Sequence, residues 1–270
     1  MATHVPQQPV IDALGRLWST IDEVVTPISD DQWSASSGLP GWSNADVIAH
    51  IVGTERFLSG DQPDPGRDVS ALDHVRNPIG ELNERWLDHY RSRSRDELMD
   101  DYRSVTAARL ATLAAMSDDD WNADAMTPAG PDTYGRFMRV RVMDCWVHEI
   151  DLRDALGAGE VADPVPAGFA REEMTANLPF VVGKRAGAPD GSRVAVDFSG
   201  VSPARADLAV DGRAALVDTP AGDPDVVLHV DLADYARLVG GRPKADPSRV
   251  RIDGDQELGT RIVGALHYMI

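Results

Sequence analysis

Apolar residues recur at helical spacing through the first half of the chain. Ile11, Leu14, Leu17, Trp18, Ile21 and Val24 predict a helix over residues 10–25, stopped by Pro27. Ser43 is followed three positions later by Asp46, the pattern of a capping box, and Val47, Ile48, Ile51, Val52 and Leu58 carry a second helix to Gly60. Leu82, Trp86, Leu87 and Tyr90 predict a third over residues 79–90. Leu98, Tyr102, Val105, Ala108, Leu110 and Leu113 predict a fourth over residues 95–116. Residues 61–67 and 117–133 are acidic or rich in Pro and Gly, and read as loops. A fifth helix is expected over residues 135–157, with Val140, Met143, Val147 and Ile150 along one stripe.

The pattern changes after residues 157–166, where Gly157, Gly159, Pro164 and Pro166 mark a boundary. One more helical piece is expected over residues 167–180. Short, partly alternating runs at 193–198, 206–210, 214–217, 226–230 and 250–252 then read as strands. Helices are expected at 232–238 and 257–269. The fold class is therefore α+β in two domains, residues 1–160 forming a helical bundle and residues 161–270 a small α/β domain.

Composition narrows the functions open to such a chain. With 270 residues and 43% hydrophobic content, there is ample material for a core. The net charge of -18 gives no electrostatic reason to bind nucleic acid or an anionic membrane. No apolar run is long enough to span a bilayer, and no charged segment leads into an apolar run at the start, so neither a membrane span nor a signal peptide is expected. A single cysteine, Cys145, excludes an internal disulfide and fits a reducing cytoplasm.

The fifth helix carries the candidate chemistry. Asp144 and His148 lie one turn apart beside its apolar stripe, with Arg141 and Asp151 on the same side and Glu149 opposite. Such a pair is an intrahelical hydrogen bond, a solvated pair, or two ligands of a metal. His50 flanks the stripe of the second helix; alone it reads as a core histidine. Cys145 projects away from His148, which suits a small apolar filler better than a nucleophile.

Two stretches carry a family resemblance. Leu39-Pro40-Gly41-Trp42-Ser43-Asn44-Ala45-Asp46-Val47-Ile48-Ala49-His50 resembles the start of the second helix in mycothiol-dependent maleylpyruvate isomerase-like proteins, members of the DinB-like four-helix bundles. Asp144-Cys145-Trp146-Val147-His148-Glu149-Ile150-Asp151-Leu152 resembles their later ligand motif, where Glu is more usual than Asp at position 144. Leu238 to Arg242 and Ile252 to Asp255 resemble the sterol-carrier-like α/β domain of the same proteins. The resemblance implies zinc, or another divalent metal, held by His50, Asp144 and His148, three protein ligands with an open position. It also implies mycothiol, the low-molecular-weight thiol of actinobacteria, as cosubstrate, because a metal favours the nucleophilic thiolate.

The expected activity is that of a thiol-dependent S-transferase or cis–trans isomerase acting on a small electrophile, such as one bearing carboxylates. Arginine suits bidentate carboxylate binding. Arg76, by resemblance, and Arg242, from the second domain, are the candidate clamps. Asp151 is placed to accept from His148 and orient its ring. Two other readings compete: a non-catalytic binder of apolar small molecules or lipids in the second domain, and a zinc hydrolase using bound water.

Overall fold

The computed structural model describes residues 3–64, 66–128, 130–219 and 221–269. Its chain divides into two compact units, residues 1–159 and 160–270.

In the first unit, the helices are α1 (Gln7–Val25), α2 (Asp30–Ser34), α3 (Asn44–Leu58), α4 (Pro78–Arg91), α5 (Arg95–Ala115), α6 (Asp118–Trp121) and α7 (Tyr134–Leu156). Helices α1, α3, α5 and α7 form the bundle, and α4 packs on α3. Trp18, Leu14, Ile21, Tyr102, Leu113 and Trp146 fill its interior. The Tyr102 hydroxyl donates to the Trp18 carbonyl at 2.9 Å, so this buried phenol meets a partner across the core.

The ends of α3 and α7 are set locally. Ser43 and Asp46 form the reciprocal capping box: the Asp46 N–H donates to Ser43 Oγ at 3.2 Å, and the Ser43 N–H to Asp46 Oδ2 at 2.8 Å. Helix α3 then runs close to α4, because a Cβ at Gly53 would lie 2.5 Å from the Trp86 side chain. Thr133 caps α7, and Gly157, with φ 65°, ends it in the left-handed conformation.

The stretch over residues 117–133, expected as a loop, is not one. It holds α6 and a hairpin of β1 (Asp124–Thr127) and β2 (Gly130–Thr133). The acidic run hid a Ser117 cap followed by Trp121, which is 1% exposed and donates from Nε1 to the Val5 carbonyl at 2.7 Å. One buried indole outweighs three solvated aspartates.

The second unit begins with α8 (Pro164–Thr175) and α9 (Leu178–Phe180), the latter running into a π-turn over Val181–Arg185. Its strands are β3 (Arg193–Ser199), β4 (Ala204–Asp211), β5 (Arg213–Val217), β6 (Val226–Asp231) and β7 (Arg251–Gly254). They form one sheet in the order β5-β4-β3-β6-β7, in which only the β3–β6 pair is parallel. Val194, Val196 and Phe198 of β3 and Val226, Leu228 and Val230 of β6 are buried on one face, the period-2 pattern of a half-covered sheet. Helix α10 (Leu232–Val239) follows β6, and α11 (Gln256–Gly264) closes the unit. The last helix is shorter than the expected run to residue 269: it stops at Gly264 and the chain continues irregularly.

Candidate metal centre

Helix α7 is buried over most of its circumference. From Cys145 to Leu152 every residue is buried, including His148, Glu149 and Asp151. Glu149, on the far side as expected, takes the Nε of Arg153 at 2.7 Å. Charged groups in such a place need partners, and the partners define the site.

Asp144 is the centre of the cluster. Its Oδ2 lies 3.2 Å from His50 Nε2 on α3, and its Oδ1 lies 3.7 Å from His148 Nε2 one turn along α7. The two imidazole centroids are 4.9 Å apart. Each of the three residues offers one ligand atom, and these atoms lie within 4.8 Å of one another. His50 and His148 are each 6% exposed, while the Asp144 side chain is 31% exposed, so the cluster is walled by rings and open on the carboxylate side. Trp42, from the motif before α3, forms part of that wall: its ring stacks on His148 at 6.0 Å and tilts against His50 at 5.3 Å. The turn presenting Trp42 needs Gly41, which sits at φ 77° and where a Cβ would lie 2.6 Å from the His74 ring.

Surrounding groups fix the protonation pattern. His148 Nδ1 lies 3.0 Å from Asp151 Oδ2; a proton held there leaves the Nε2 lone pair facing Asp144. Burial pushes His50 toward its neutral form. Burial opposes ionisation of Asp144, but the charge of Arg141 and the hydrogen bond with His50 hold its carboxyl well below the usual carboxylate range. Neutral imidazoles and an ionised carboxylate are the forms that bind a metal. Two imidazoles and a carboxylate, with one side open, make a donor set suited to zinc and similar divalent ions.

Cys145, next to Asp144, takes no part in this convergence. It is fully buried, its Sγ lies 3.5 Å from Arg141 Nη2, and burial pushes its thiol up to about 12.

The two arginines singled out from the sequence belong to different units. Arg76 is exposed in the segment before α4. Arg242 belongs to the second unit, is half-buried, and donates from Nη1 to the Gly240 carbonyl at 3.1 Å. The guanidinium that does reach Asp144 is Arg141's. Its neighbour Glu55 is a buried acid of α3 that no local motif marks out. Position could have flagged it, since Glu55 follows His50 on the same buried helix.

Residues 14–153 match the mycothiol maleylpyruvate isomerase N-terminal domain, and residues 169–261 match the C-terminal domain of the same family. The chain belongs to the mycothiol maleylpyruvate isomerase family. Two uncharacterized members of the curated proteins, from Mycobacterium tuberculosis strains CDC 1551 and H37Rv, are 30% identical over 142 residues, covering 51% of this chain and 52% of theirs. The chain thus spans about half the length of the curated relatives it matches. A crystal structure of the mycothiol-dependent maleylpyruvate isomerase shares the fold, with a TM-score of 0.57, 18% identity, and coverage of 92% of this chain and 93% of that one. A histidine-to-alanine variant of that enzyme gives a TM-score of 0.56 at 16% identity. For this family member, the two-domain α+β organisation agrees with that fold. Among its described residues, no helix is long and apolar enough to cross a membrane.

Proposed function

We propose that this family member is a metal- and thiol-dependent enzyme. It joins mycothiol to a small electrophile, either transiently, as a cis–trans isomerase, or with loss of a leaving group, as an S-transferase. The observation that carries the reading is the convergence of His50, Asp144 and His148 within 4.8 Å, where the Asp144 side chain is 31% exposed. Zinc is the proposed ion, with His50 Nε2, His148 Nε2 and Asp144 as its protein ligands. Such an ion, when bound, supplies the charge that keeps a thiol in its nucleophilic thiolate form.

The chain's own groups do the rest. Asp151 holds the Nδ1 proton of His148 and so fixes the tautomer. The rings of Trp42, His50 and His148 exclude water from one side. Cys145 is buried, so the reacting thiol comes from outside the protein. Arg76, exposed in the segment before α4, is the proposed carboxylate clamp for a substrate such as maleylpyruvate, with Arg242 of the second unit as the other candidate. A reducing cytoplasm is the proposed setting, because it keeps such a thiol reduced.

The test is turnover of maleylpyruvate and a panel of thiol-reactive electrophiles by the zinc-loaded chain, with and without mycothiol. Turnover that needs both metal and thiol, and is lost in His148→Ala, is the expected result. Turnover without added thiol would support the hydrolase instead. Absence of metal uptake by the wild-type chain would remove the site altogether.

A further inference from the structure

A buried charge network stands behind Asp144. Arg141 of α7 is 3% exposed and donates from Nε and Nη2 to Oε1 of Glu55 at 3.0 and 2.8 Å. Its remaining arm, Nη1, donates to Asp144 Oδ2. The other oxygen of Glu55 accepts from Arg109 Nε of α5 at 3.1 Å, and Arg109 in turn donates to the Tyr134 hydroxyl. Glu55 and Arg109 are 1% and 4% exposed. Two arginines and two carboxylates, drawn from three helices, thus balance in charge before any metal arrives. Burying this many charges is costly, and a hydrophobic replacement of equal volume would serve stability at least as well. The arrangement therefore calls for a purpose other than holding the helices together.

We propose that Arg141, locked by Glu55, is the positioning residue of the metal centre. It donates to Asp144 Oδ2, the oxygen that also lies 3.2 Å from His50 Nε2, and so fixes how the Asp144 carboxylate is turned between His50 and His148. The inference rests on the metal-centre reading of the preceding subsection and deepens it. The guanidinium suits the task because its planar fork satisfies Glu55 with two donors while a third reaches Asp144. A lysine ammonium in the same place keeps the charge but cannot hold both acids in fixed directions.

The test is a titration of metal-free full-length chain with Co²⁺, following the visible d–d absorption, together with chelator competition for affinity. Arg141→Lys and the near-isosteric Glu55→Gln are compared with the wild type, with thermal unfolding recorded for each. Both variants are expected to bind Co²⁺ about 10–100-fold more weakly, the usual effect of removing a partner of a metal ligand. Their d–d band is expected to change in position and intensity as the Asp144 carboxylate loses its fixed orientation. If Arg141→Lys does not fold, Glu55→Gln decides alone, since it keeps an acceptor for Arg141 and loses only the charge that fixes it. A lowered unfolding temperature with wild-type affinity and an unchanged band would overturn the proposal and leave the network a purely structural ion cluster. Wild-type chain that takes up no Co²⁺ would overturn the metal reading itself, and this inference with it.

Discussion

Among the described residues, two clusters of histidine and aspartate can be set side by side, and they behave differently. In the first unit, His50, Asp144 and His148 turn their ligand atoms toward a common point. In the second, His229 of β6 stands between Asp197 of β3 and Asp253 of β7. There His229 Nδ1 faces Asp197 at 3.2 Å and Nε2 faces Asp253 at 3.0 Å, so both ring nitrogens are used, in opposite directions. The residue types are the same and the outcomes are not. Side chains on one sheet face stand in parallel rows, set about 4.8 Å apart by strand spacing, and form ladders. Side chains from two packed helices point inward from different directions and can converge. Exposure separates the two as well: Asp253 is 51% exposed, whereas His50 and His148 are nearly covered. A ladder in water contributes solubility and a little stability, while a covered convergence needs an occupant or a counter-charge.

The contrast can be attacked first through stability. Arg109→Ala strips one of the two guanidinium partners from buried Glu55 and is expected to destabilise the first unit by about 3–5 kcal/mol. Asp253→Ala on the open sheet face is expected to cost no more than about 1 kcal/mol. Denaturant unfolding of the two variants side by side measures the difference, and equal costs would break the distinction between buried network and solvated ladder.

Metal uptake gives the next largest effect. His148→Ala is expected to weaken zinc binding by more than about 100-fold, beyond the range seen when only a ligand's partner is lost. His229→Ala is expected to leave it unchanged. Elemental analysis and chelator competition report both, and a parallel loss in the two variants would place the ion elsewhere.

A finer probe is Asp151→Asn. The amide keeps the shape and can still accept from His148 Nδ1, but it gives up the charge that holds the proton there. An affinity loss of about tenfold is expected. No change would mean that the tautomer of His148 is set without Asp151.

The smallest effect is expected at Cys145. Cys145→Ser should leave both metal affinity and thiol-dependent turnover unaltered, since the thiol is buried against Arg141 rather than turned to the cluster. A variant that loses metal as completely as His148→Ala would show that α7 is rotated relative to this description.

Much of the frame could be read along the chain. The apolar periods placed α1, α3, α4, α5 and α7, and the change from period 3.6 to period 2 marked the sheet unit. The Ser43–Asp46 cap was legible because it depends on four consecutive residues. The α6 helix and the β1–β2 hairpin were not legible. Their support is non-local: Trp121 bonds to the Val5 carbonyl, and Asp132 receives the Thr3 N–H at 2.7 Å, from residues more than a hundred positions away.

The same division holds at the site. Sequence by itself determined that Asp144 and His148 share a helical face with Arg141, because one turn of helix is a local property of the backbone. It determined, through Gly41-Trp42-Ser43, that an indole and a capped helix precede His50. The family resemblance implied that His50 joins that face, but no periodic signal crosses the 94 positions between it and Asp144, and only the tertiary structure brings the two side chains to 3.2 Å. Only the tertiary structure decided that Glu55 and Arg109 would be buried behind it. On paper each is an ordinary charged residue on an amphipathic helix. Their burial is fixed by how α3, α5 and α7 pack, and packing is a collective result of all the apolar stripes at once.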